Sequence, residues 1–269
     1  MSELLRDTQQ AFDSVAVDYD GPLGNNALIQ RIRARTMDAV QKNFPSASHL
    51  LDLGCGTGLD AASLASTGYK ITAIDWSAEM VKRTKGRIIQ AGLQASVEVR
   101  HLGFHQLNEF RSEFFDGVYS DLGALNCAAN MDETAALIRR ILKPQGRLIA
   151  SVMGRACPWE WILYSSKGQW QRARLRFTPD LTPVPLNGRR VWTRYFAPSD
   201  FETIFSKIGF KLIDLRALGL FVPPPYMIRF YERHPKLIDF LQKLDDSMGR
   251  WPIFRQWGDH FLIVMKKND

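Results

Sequence analysis

The sequence predicts an α/β fold, a doubly wound sheet of seven strands with helices on both faces. Five short apolar segments alternate with helical segments between residues 49 and 153, and two further apolar segments follow at 210 and 260. Such alternation is typical of βαβ units, whose strands are parallel and whose crossovers are right-handed. The length of 269 residues fits one large domain, so we expect a single domain over residues 1–269.

The first 45 residues are predicted to be helical. Apolar side chains recur at helical spacing between residues 25 and 44, at Leu28, Ile32, Met37 and Val40. Pro45 then ends the helix, because proline cannot continue a helical ladder. These helices precede the first strand of the expected sheet.

Short apolar segments are the predicted strands, at 49–53, 69–75, 95–102, 115–121 and 146–153. Helices are predicted between them at 60–66, 77–91, 107–114 and 132–142. Ser77 is a predicted helix N-cap, since its hydroxyl can accept a hydrogen bond from the first helical turn. The turn at residues 143–146 stops the last of these helices before the fifth strand.

The regular alternation ends after residue 153. A helix at 198–208 and strands at 210–218 and 260–267 continue the sheet, whereas segments 155–198 and 220–258 are irregular and rich in Trp, Tyr and Phe. We expect these two segments to be cap insertions over one end of the sheet. Eight basic and two acidic residues lie between 155 and 194, so most of the net charge of +7 belongs to the first cap. A basic segment favours an acidic partner.

Composition excludes several classes of protein. The three cysteines form no Cys-x-x-Cys pair, which excludes a disulfide framework and the common zinc spacings. No apolar stretch approaches the roughly 18 residues of a membrane span. The N-terminal segment carries acidic residues and no apolar core, unlike a secretory signal. A cytoplasmic globular protein is the expectation.

The most informative motif is Leu51-Asp52-Leu53-Gly54-Cys55-Gly56-Thr57-Gly58, between a predicted strand and a predicted helix. Glycines there let the backbone turn sharply and approach a ligand, which also meets the free N–H groups of the helix start. Asp75 ends the next strand, where an acidic residue commonly binds a ribose diol. Leu59 stands where a dinucleotide motif would place its third glycine.

Residues 51–75 resemble the class I S-adenosylmethionine-dependent methyltransferases. The resemblance covers most of residues 10–153 and includes the segment 142–146, LKPQG, which looks like the turn before the family's fifth strand. It implies a Rossmann-like fold whose last strand is antiparallel. It also implies S-adenosylmethionine as cofactor and S-adenosylhomocysteine as product. Residues 12–20 are similar to the lid segment of small-molecule members, so residues 1–45 are interpreted as a helical lid.

The resemblance assigns roles to matching positions. Asp52 and the two following glycines would bind the amino acid part of the cofactor, Asp75 the ribose and Trp76 the adenine. The family's acidic residue after the third strand is absent here, which leaves the Phe104 backbone N–H to contact the adenine. The complete set of expected cofactor-binding residues is Tyr19, Asp52, Gly54, Cys55, Gly56, Asp75, Trp76, Gly103, Phe104, Ser120 and Asp121.

Methyl transfer is an in-line displacement in which the cofactor carries the electrophile and the protein aligns the nucleophile. A base is needed only where the acceptor must lose a proton. Candidates near the strand ends are Asp121, His105 and His101, none with a diagnostic spacing. No metal is expected.

The leading hypothesis is methylation of a small, hydrophobic or aromatic acceptor, as in quinone and secondary-metabolite methyltransferases. The cap aromatics would then either line an acceptor pocket with a basic rim or simply bury the insertions. Alternatives are a nucleic-acid methyltransferase and a non-catalytic interaction module. The nucleic-acid alternative is disfavoured because residues 120–123 read Ser-Asp-Leu-Gly rather than Asn/Asp-Pro-Pro-Tyr/Phe. Peripheral membrane contact through the basic cap is a further hypothesis, and the oligomeric state stays open.

Overall fold

The computed structural model describes residues 3–22 and 24–269, and one seven-stranded sheet forms the centre of this part of the chain. Its strands in chain order are β1 His49–Leu53, β2 Lys70–Asp75, β3 Val97–His101, β4 Phe115–Ser120, β5 Leu142–Met153, β8 Phe210–Leu218 and β9 His260–Lys267. The remaining two strands, β6 Thr182–Leu186 and β7 Arg189–Thr193, pair with each other outside the sheet.

The order across the sheet is β3-β2-β1-β4-β5-β9-β8. Strand β9 runs antiparallel to both of its neighbours, while β1 to β5 pair in parallel. The chain therefore winds outwards from β1 to β3, returns to the middle and continues from β4 in the other direction. Ligands of open α/β sheets bind where the winding reverses, beyond the carboxyl ends of the central strands. The predicted doubly wound fold with an antiparallel last strand is confirmed.

Ten α-helices lie within the described residues. They are α1 Glu3–Val15, α2 Ala27–Asn43, α3 Leu59–Ser66, α4 Ala78–Gln90, α5 Met131–Ile141, α6 Pro158–Ser166, α7 Trp170–Ala173, α8 Pro198–Ser206, α9 Ile228–Arg233 and α10 Pro235–Met248. None of these described helices is long and apolar enough to cross a membrane.

Helices cover both faces of the sheet because neighbouring strand residues point in opposite directions. On β1, Leu50 packs with residues of α2, α3 and α4, whereas Leu51 packs with residues of α5 and α8. Both side chains are fully buried. This alternation produces two apolar cores, one on each face, as expected for a sheet wound in both directions.

The helix predicted at 107–114 is wrong. A short 3₁₀ helix over Phe104–Glu109 stands near this place, and residues 113 and 114 are extended or in turns. Glu113 adopts a positive φ of 55°. The backbone N–H groups of Glu113 and Phe114 donate to the last carbonyls of α5, at Arg140 and Ile141. The apolar side chains whose spacing resembles that of a helix instead pack against α5 and the sheet.

The turn at 143–146 interrupts β5 instead of preceding it. Leu142 already pairs with Phe115 of β4, and pairing resumes at Gly117 and Arg147. Gln145 takes a positive φ of 65° in between. The strand therefore begins four residues earlier than predicted, with the turn as a bulge.

The two cap segments contain more regular structure than expected. Segment 155–198 folds into α6, α7 and the hairpin of β6 and β7, and segment 220–258 contains α9 and α10. Pro183 and Pro185 lie in β6, and a proline cannot donate to a strand ladder. The hairpin is held against α1, where the Trp192 indole donates to Asp7. The division into a lid and two caps stays a prediction.

Candidate functional site

A cavity of about 500 Å³ lies beyond the carboxyl ends of β1, β2 and β4. Helix α1 and the β6–β7 hairpin cover it. One half is formed by the glycine-rich loop and by the residues that follow β2, β3 and β4. The other half is formed by α1, the hairpin and the start of α5. We call them the loop half and the hairpin half.

The glycine-rich loop has a backbone that only glycine adopts readily. Gly54, Gly56 and Gly58 have φ angles of 88°, 53° and 78°. A Cβ atom at Gly54 would lie 2.6 Å from the Ala124 Cβ atom, so a side chain would not fit. The backbone N–H groups of Gly54 and Cys55 both donate to the Ile74 carbonyl, which fixes the loop beside the end of β2.

Asp75 connects this loop to α4. One carboxylate oxygen accepts the Gly56 N–H at 2.9 Å and the other accepts the Ser77 N–H at 2.8 Å. Ser77 is the N-cap of α4, as predicted, and accepts the Met80 N–H. Burial raises the pKa of Asp75 to about 6, although both backbone bonds favour the charged form. Each oxygen keeps a second lone pair for a donor in the cavity.

Two buried aspartates in the loop half have an unsatisfied oxygen. Among the described residues, neither Oδ2 of Asp52 nor Oδ2 of Asp121 has a hydrogen bond of normal geometry, although the buried Tyr119 hydroxyl interacts with the Asp52 carboxylate. The other Asp121 oxygen accepts the Thr36 and Ser151 hydroxyls at 2.7 and 2.6 Å. Burial, followed by the negative charge of Asp60, raises the pKa of Asp52 well above its ordinary value. Buried acceptors without a donor are costly, so these oxygens suit a cationic or hydrogen-bonding ligand.

Arg33 lines the same half and was not predicted from the sequence. This residue of α2 pairs with Asp60 at 2.7 Å, and its Nε finds no partner within the described chain. Burial opposes the charge on Arg33, but Asp60 raises the pKa of the guanidinium above its ordinary value. Burial and the charge of Asp121 raise the pKa of Asp60 to about 6. A buried cation beside the glycine loop suits a carboxylate ligand.

Tyr19 lies inside the cavity, next to the glycine loop. Its ring meets Phe12 edge-on at 6.4 Å, and burial raises its pKa to about 12. The following residue, Asp20, accepts the Thr57 hydroxyl at 2.5 Å and bonds Arg87. These contacts tie the segment after α1 to the glycine loop. Met1, Ser2 and Leu23, all within the predicted lid, lie outside the described residues.

Trp76, Gly103 and Phe104 form the far end of the loop half. The Trp76 indole donates to the Leu5 carbonyl at 3.3 Å, so α1 closes over it. His105 packs edge-on against the indole with ring centroids 4.9 Å apart. No acidic side chain follows β3, as the sequence indicates.

Most of the predicted site residues come together around this cavity. Its lining includes Tyr19, Asp52, Gly54, Cys55, Gly56, Asp75, Trp76, Gly103, Phe104, His105 and Asp121. Ser120 does not line it, because its buried hydroxyl donates to the Leu53 carbonyl at 2.8 Å. His101 stacks on the outer side of Trp76 and is exposed. The roles of all these residues stay predictions.

The hairpin half is mostly apolar. It is lined by Leu5, Thr8, Gln9 and Phe12 of α1, by Val184, Pro185, Leu186, Val191 and Thr193 of the hairpin, and by Cys127, Ala129, Asn130, Glu133, Thr134 and Met153. Within the described chain, no aromatic or basic residue of segments 155–198 and 220–258 reaches this lining. The hypothesis of a cap pocket with aromatic walls and a basic rim is therefore wrong, since the hairpin presents aliphatic side chains there.

Comparisons with known proteins agree with this architecture. A family model described as "Methyltransferase domain" matches residues 51–150. The ubiquinone biosynthesis O-methyltransferase of Xanthomonas axonopodis pv. citri is 29% identical over 141 residues, which is 51% of this chain and 56% of that protein. This chain spans between 56% and 64% of the length of several such relatives.

A second relative aligns over more of both chains. The demethylmenaquinone methyltransferase of Symbiobacterium thermophilum is 30% identical over 226 residues, 79% of this chain and 88% of that protein. The fold is shared with 1,6-didemethyltoxoflavin-N1-methyltransferase of Burkholderia thailandensis, solved with S-adenosylhomocysteine bound. That structure has a TM-score of 0.60 and 15% identity, and the match covers 98% of this chain and 88% of that one. With its glycine loop and sheet order, this chain thus belongs to the S-adenosylmethionine-dependent methyltransferase family.

Proposed function

We propose that this protein transfers the methyl group of S-adenosylmethionine to a small, largely apolar acceptor held in the hairpin half of the cavity. The observation that carries the proposal is the continuity of the cavity. One continuous, partly open cavity joins the glycine loop and its unsatisfied carboxylates to a mainly apolar chamber beneath α1 and the hairpin. Two ligands of different polarity fit such a space side by side.

The residues of the loop half fit this cofactor. Asp75 would accept from the ribose diol, the Trp76 ring would lie against the adenine, and the Phe104 backbone N–H would donate to the adenine. The unsatisfied oxygens of Asp52 and Asp121 would accept from the ammonium group. Arg33 would bind the carboxylate. The absence of a Cβ atom at Gly54 and Gly56 leaves the backbone open to close approach.

The bound cofactor supplies a methyl group on a sulfonium, which is already a good leaving group. The protein then has to orient the acceptor and keep water away. Helix α1 serves both purposes, because its contacts with Trp76 and with the hairpin close the cavity. Asp121 and His105 are the candidate bases that line the cavity, whereas His101 stands outside it. S-adenosylhomocysteine is the expected product.

The chamber favours an acceptor with an apolar body. Leu5, Leu186 and Val191 line it, and its polar residues are Thr8, Gln9, Asn130, Glu133, Thr134 and Thr193. Relatives named for ubiquinone and demethylmenaquinone methylation support a quinone-like ring carrying an apolar substituent. A polymer such as a nucleic acid is disfavoured because α1 and the hairpin cover the chamber. The cytoplasmic location expected from the sequence stays a prediction.

The proposal is tested by incubating the protein with methyl-labelled S-adenosylmethionine and a desalted cell extract. The label is then separated into organic, aqueous, protein and nucleic-acid fractions. We expect it in the organic fraction, and none with the Asp75→Ala variant. Label in nucleic acid or protein would overturn the proposed acceptor class. Cofactor binding by calorimetry without label in any of several extracts would favour the non-catalytic module.

A further inference from the structure

The first cap segment exposes an unusual number of large apolar side chains. Between residues 161 and 177 they are Trp161, Ile162, Trp170, Leu175 and Phe177, with Ile162 63% exposed. Monomeric soluble proteins rarely leave large apolar patches uncovered without a function. We call the exposed side chains of residues 161–177 the cap face.

The charge on the cap face has one sign. Lys167, Arg172 and Arg174 are exposed, and the sequence from 161 to 179 contains no Asp or Glu. Within the described residues, none of these three cations makes an ion pair. Exposed arginines without an ion pair also occur elsewhere in the described chain, such as Arg83 and Arg233, but Lys167, Arg172 and Arg174 are close in sequence with no acid between them. The cap face therefore complements an anionic surface.

The cap face is held rigidly by a buried arginine. Both Glu160 oxygens accept from Arg176, at 2.7 Å each, and Asp259 accepts from it at 2.7 Å. Arg176 also donates to the carbonyls of Gly154 and Asp259 at the end of the sheet. Ala173 and Arg176 are buried, whereas their neighbours Arg172, Arg174, Leu175 and Phe177 are exposed. The exposure follows from ordered packing.

The second cap segment also exposes large apolar side chains. Trp251, Ile253 and Trp257 are at least half exposed. The two segments meet where the Gly258 N–H donates to the Ala156 carbonyl at 2.8 Å. The indole of Trp159 on α6 donates to the Phe221 carbonyl at 3.1 Å and completes the junction.

We propose that the cap face docks on the surface of an anionic lipid bilayer. Its tryptophans and aliphatic side chains would enter the headgroup boundary, where amphipathic rings are favoured, and its cations would face the lipid phosphates. A nucleic acid could stack on the aromatic rings and pair with the cations, but it has no apolar surface for the aliphatic side chains of Ile162 and Leu175. The proposal goes beyond the proposed function and does not depend on it.

Flotation with vesicles tests the docking without any enzymatic readout. The full chain is mixed at low salt with vesicles of phosphatidylcholine, either pure or with one quarter phosphatidylglycerol. We expect binding to the anionic vesicles only, and release at about 1 M salt, where the screening length falls to about 3 Å. Arg172→Glu with Arg174→Glu, or Trp161→Ser with Trp170→Ser, should each reduce binding at least about tenfold.

A matched control carries equivalent changes beside the opposite edge of the sheet. Lys82→Glu, Lys85→Glu and Ile89→Ser alter exposed residues of α4, which packs near β3, and should leave vesicle binding within about twofold. Thermal unfolding and cofactor calorimetry show that each variant is folded. Equal binding to uncharged vesicles, or by the charge-reversed variant, would overturn the proposal. So would binding of a single-stranded oligonucleotide without vesicle binding, or self-association lost in the tryptophan variant.

Discussion

The two halves of the cavity are built in different ways. Residues that follow β1, β2 and β4 form the loop half, and strand pairing together with backbone hydrogen bonds sets their positions. The hairpin half joins α1 near residue 5 to a hairpin near residue 190. Short-range geometry thus determines where the cofactor would bind, and long-range packing determines the acceptor chamber.

The halves also differ in polarity. In the loop half, Asp52 and Asp121 are buried with one unsatisfied oxygen each, and Asp75 and Arg33 are half-buried. The hairpin half offers mainly aliphatic contacts. A charged ligand recognised by fixed donors and acceptors suits the first, and an apolar ligand selected by shape suits the second. Changes in the two halves should therefore affect different steps.

The largest expected effect is the loss of cofactor binding in Asp75→Ala. The ribose diol would lose the two charge-assisted hydrogen bonds proposed for it, each worth roughly 1.5–3 kcal/mol, so the Kd should rise on the order of 1,000-fold. Isothermal calorimetry with S-adenosylmethionine measures it. Asp116→Ala is the control, because that carboxylate bonds His49 and Lys143 at the opposite end of the sheet. An unchanged Kd in Asp75→Ala would remove the ribose assignment.

Filling the hairpin half should impair acceptor turnover without impairing cofactor binding. Val184→Trp adds bulk to the chamber, so kcat/KM for the acceptor should fall on the order of 100-fold because the acceptor is displaced. The cofactor Kd should stay within about twofold, since the loop half is untouched. Steady-state kinetics with the acceptor from the labelling experiment measure the first quantity, and calorimetry the second.

The control for this variant is Arg190→Trp, which adds the same ring to an exposed position of the same hairpin. It should leave both quantities near those of the unmodified protein. Equal losses in cofactor affinity and turnover for Val184→Trp would mean that the two halves of the cavity act as one site, which would contradict the distinction between them.

Arg33→Met should weaken cofactor binding by about 10- to 100-fold, the value of one charged hydrogen bond. The matched control is Arg35→Met on the same helix, whose guanidinium pairs with Asp246 away from the cavity. Affinity for 5′-methylthioadenosine, which lacks the amino acid part, should not change in Arg33→Met. Equal weakening for both ligands would point to general distortion by the unpaired Asp60.

Local pattern was sufficient to predict most strands of the central sheet. Strands β1, β8 and β9 begin and end at the predicted residues, because apolar runs bounded by turns leave little choice. Segment 107–114 was misassigned because the spacing of Leu107, Phe110 and Phe114 fits a helix equally well. Backbone hydrogen bonds from Glu113 and Phe114 to the end of α5 hold this segment out of a helix.

The hairpin half could not be predicted from pattern. Two prolines hide the strand pattern of β6, because proline is rarely found inside a strand. A two-stranded hairpin is only marginally stable by itself, so the pairing of β6 with β7 depends on packing against α1. Arg33 was missed for a similar reason. Arg31, Arg33 and Arg35 alternate along α2, and only the fold shows that two of them face acids of α10 while the third faces the cavity.

The smallest predicted effect is a pH dependence confined to the loop half. Burial raises the pKa of Asp75 to about 6, above the ordinary value of 3.8, so this group favours folding below about pH 4 and loses that contribution as the pH rises through 6. Cofactor binding is expected to have the opposite sign, because in the proposed role of Asp75 its carboxylate accepts from the ribose. Affinity should fall about twofold at pH 6 and about tenfold at pH 5 relative to pH 7.5.

Calorimetry across this range tests the sign, and Asp60 must be separated from Asp75 because burial brings its pKa to about 6 as well. Asp60→Asn leaves the Asp75 carboxylate intact, so the variant should keep most of the pH dependence. A flat profile in Asp60→Asn would transfer the effect to the Arg33–Asp60 pair. A flat profile in the unmodified protein would mean that the ribose does not depend on the Asp75 charge, and the loop half would then bind its ligand by shape, as the hairpin half does.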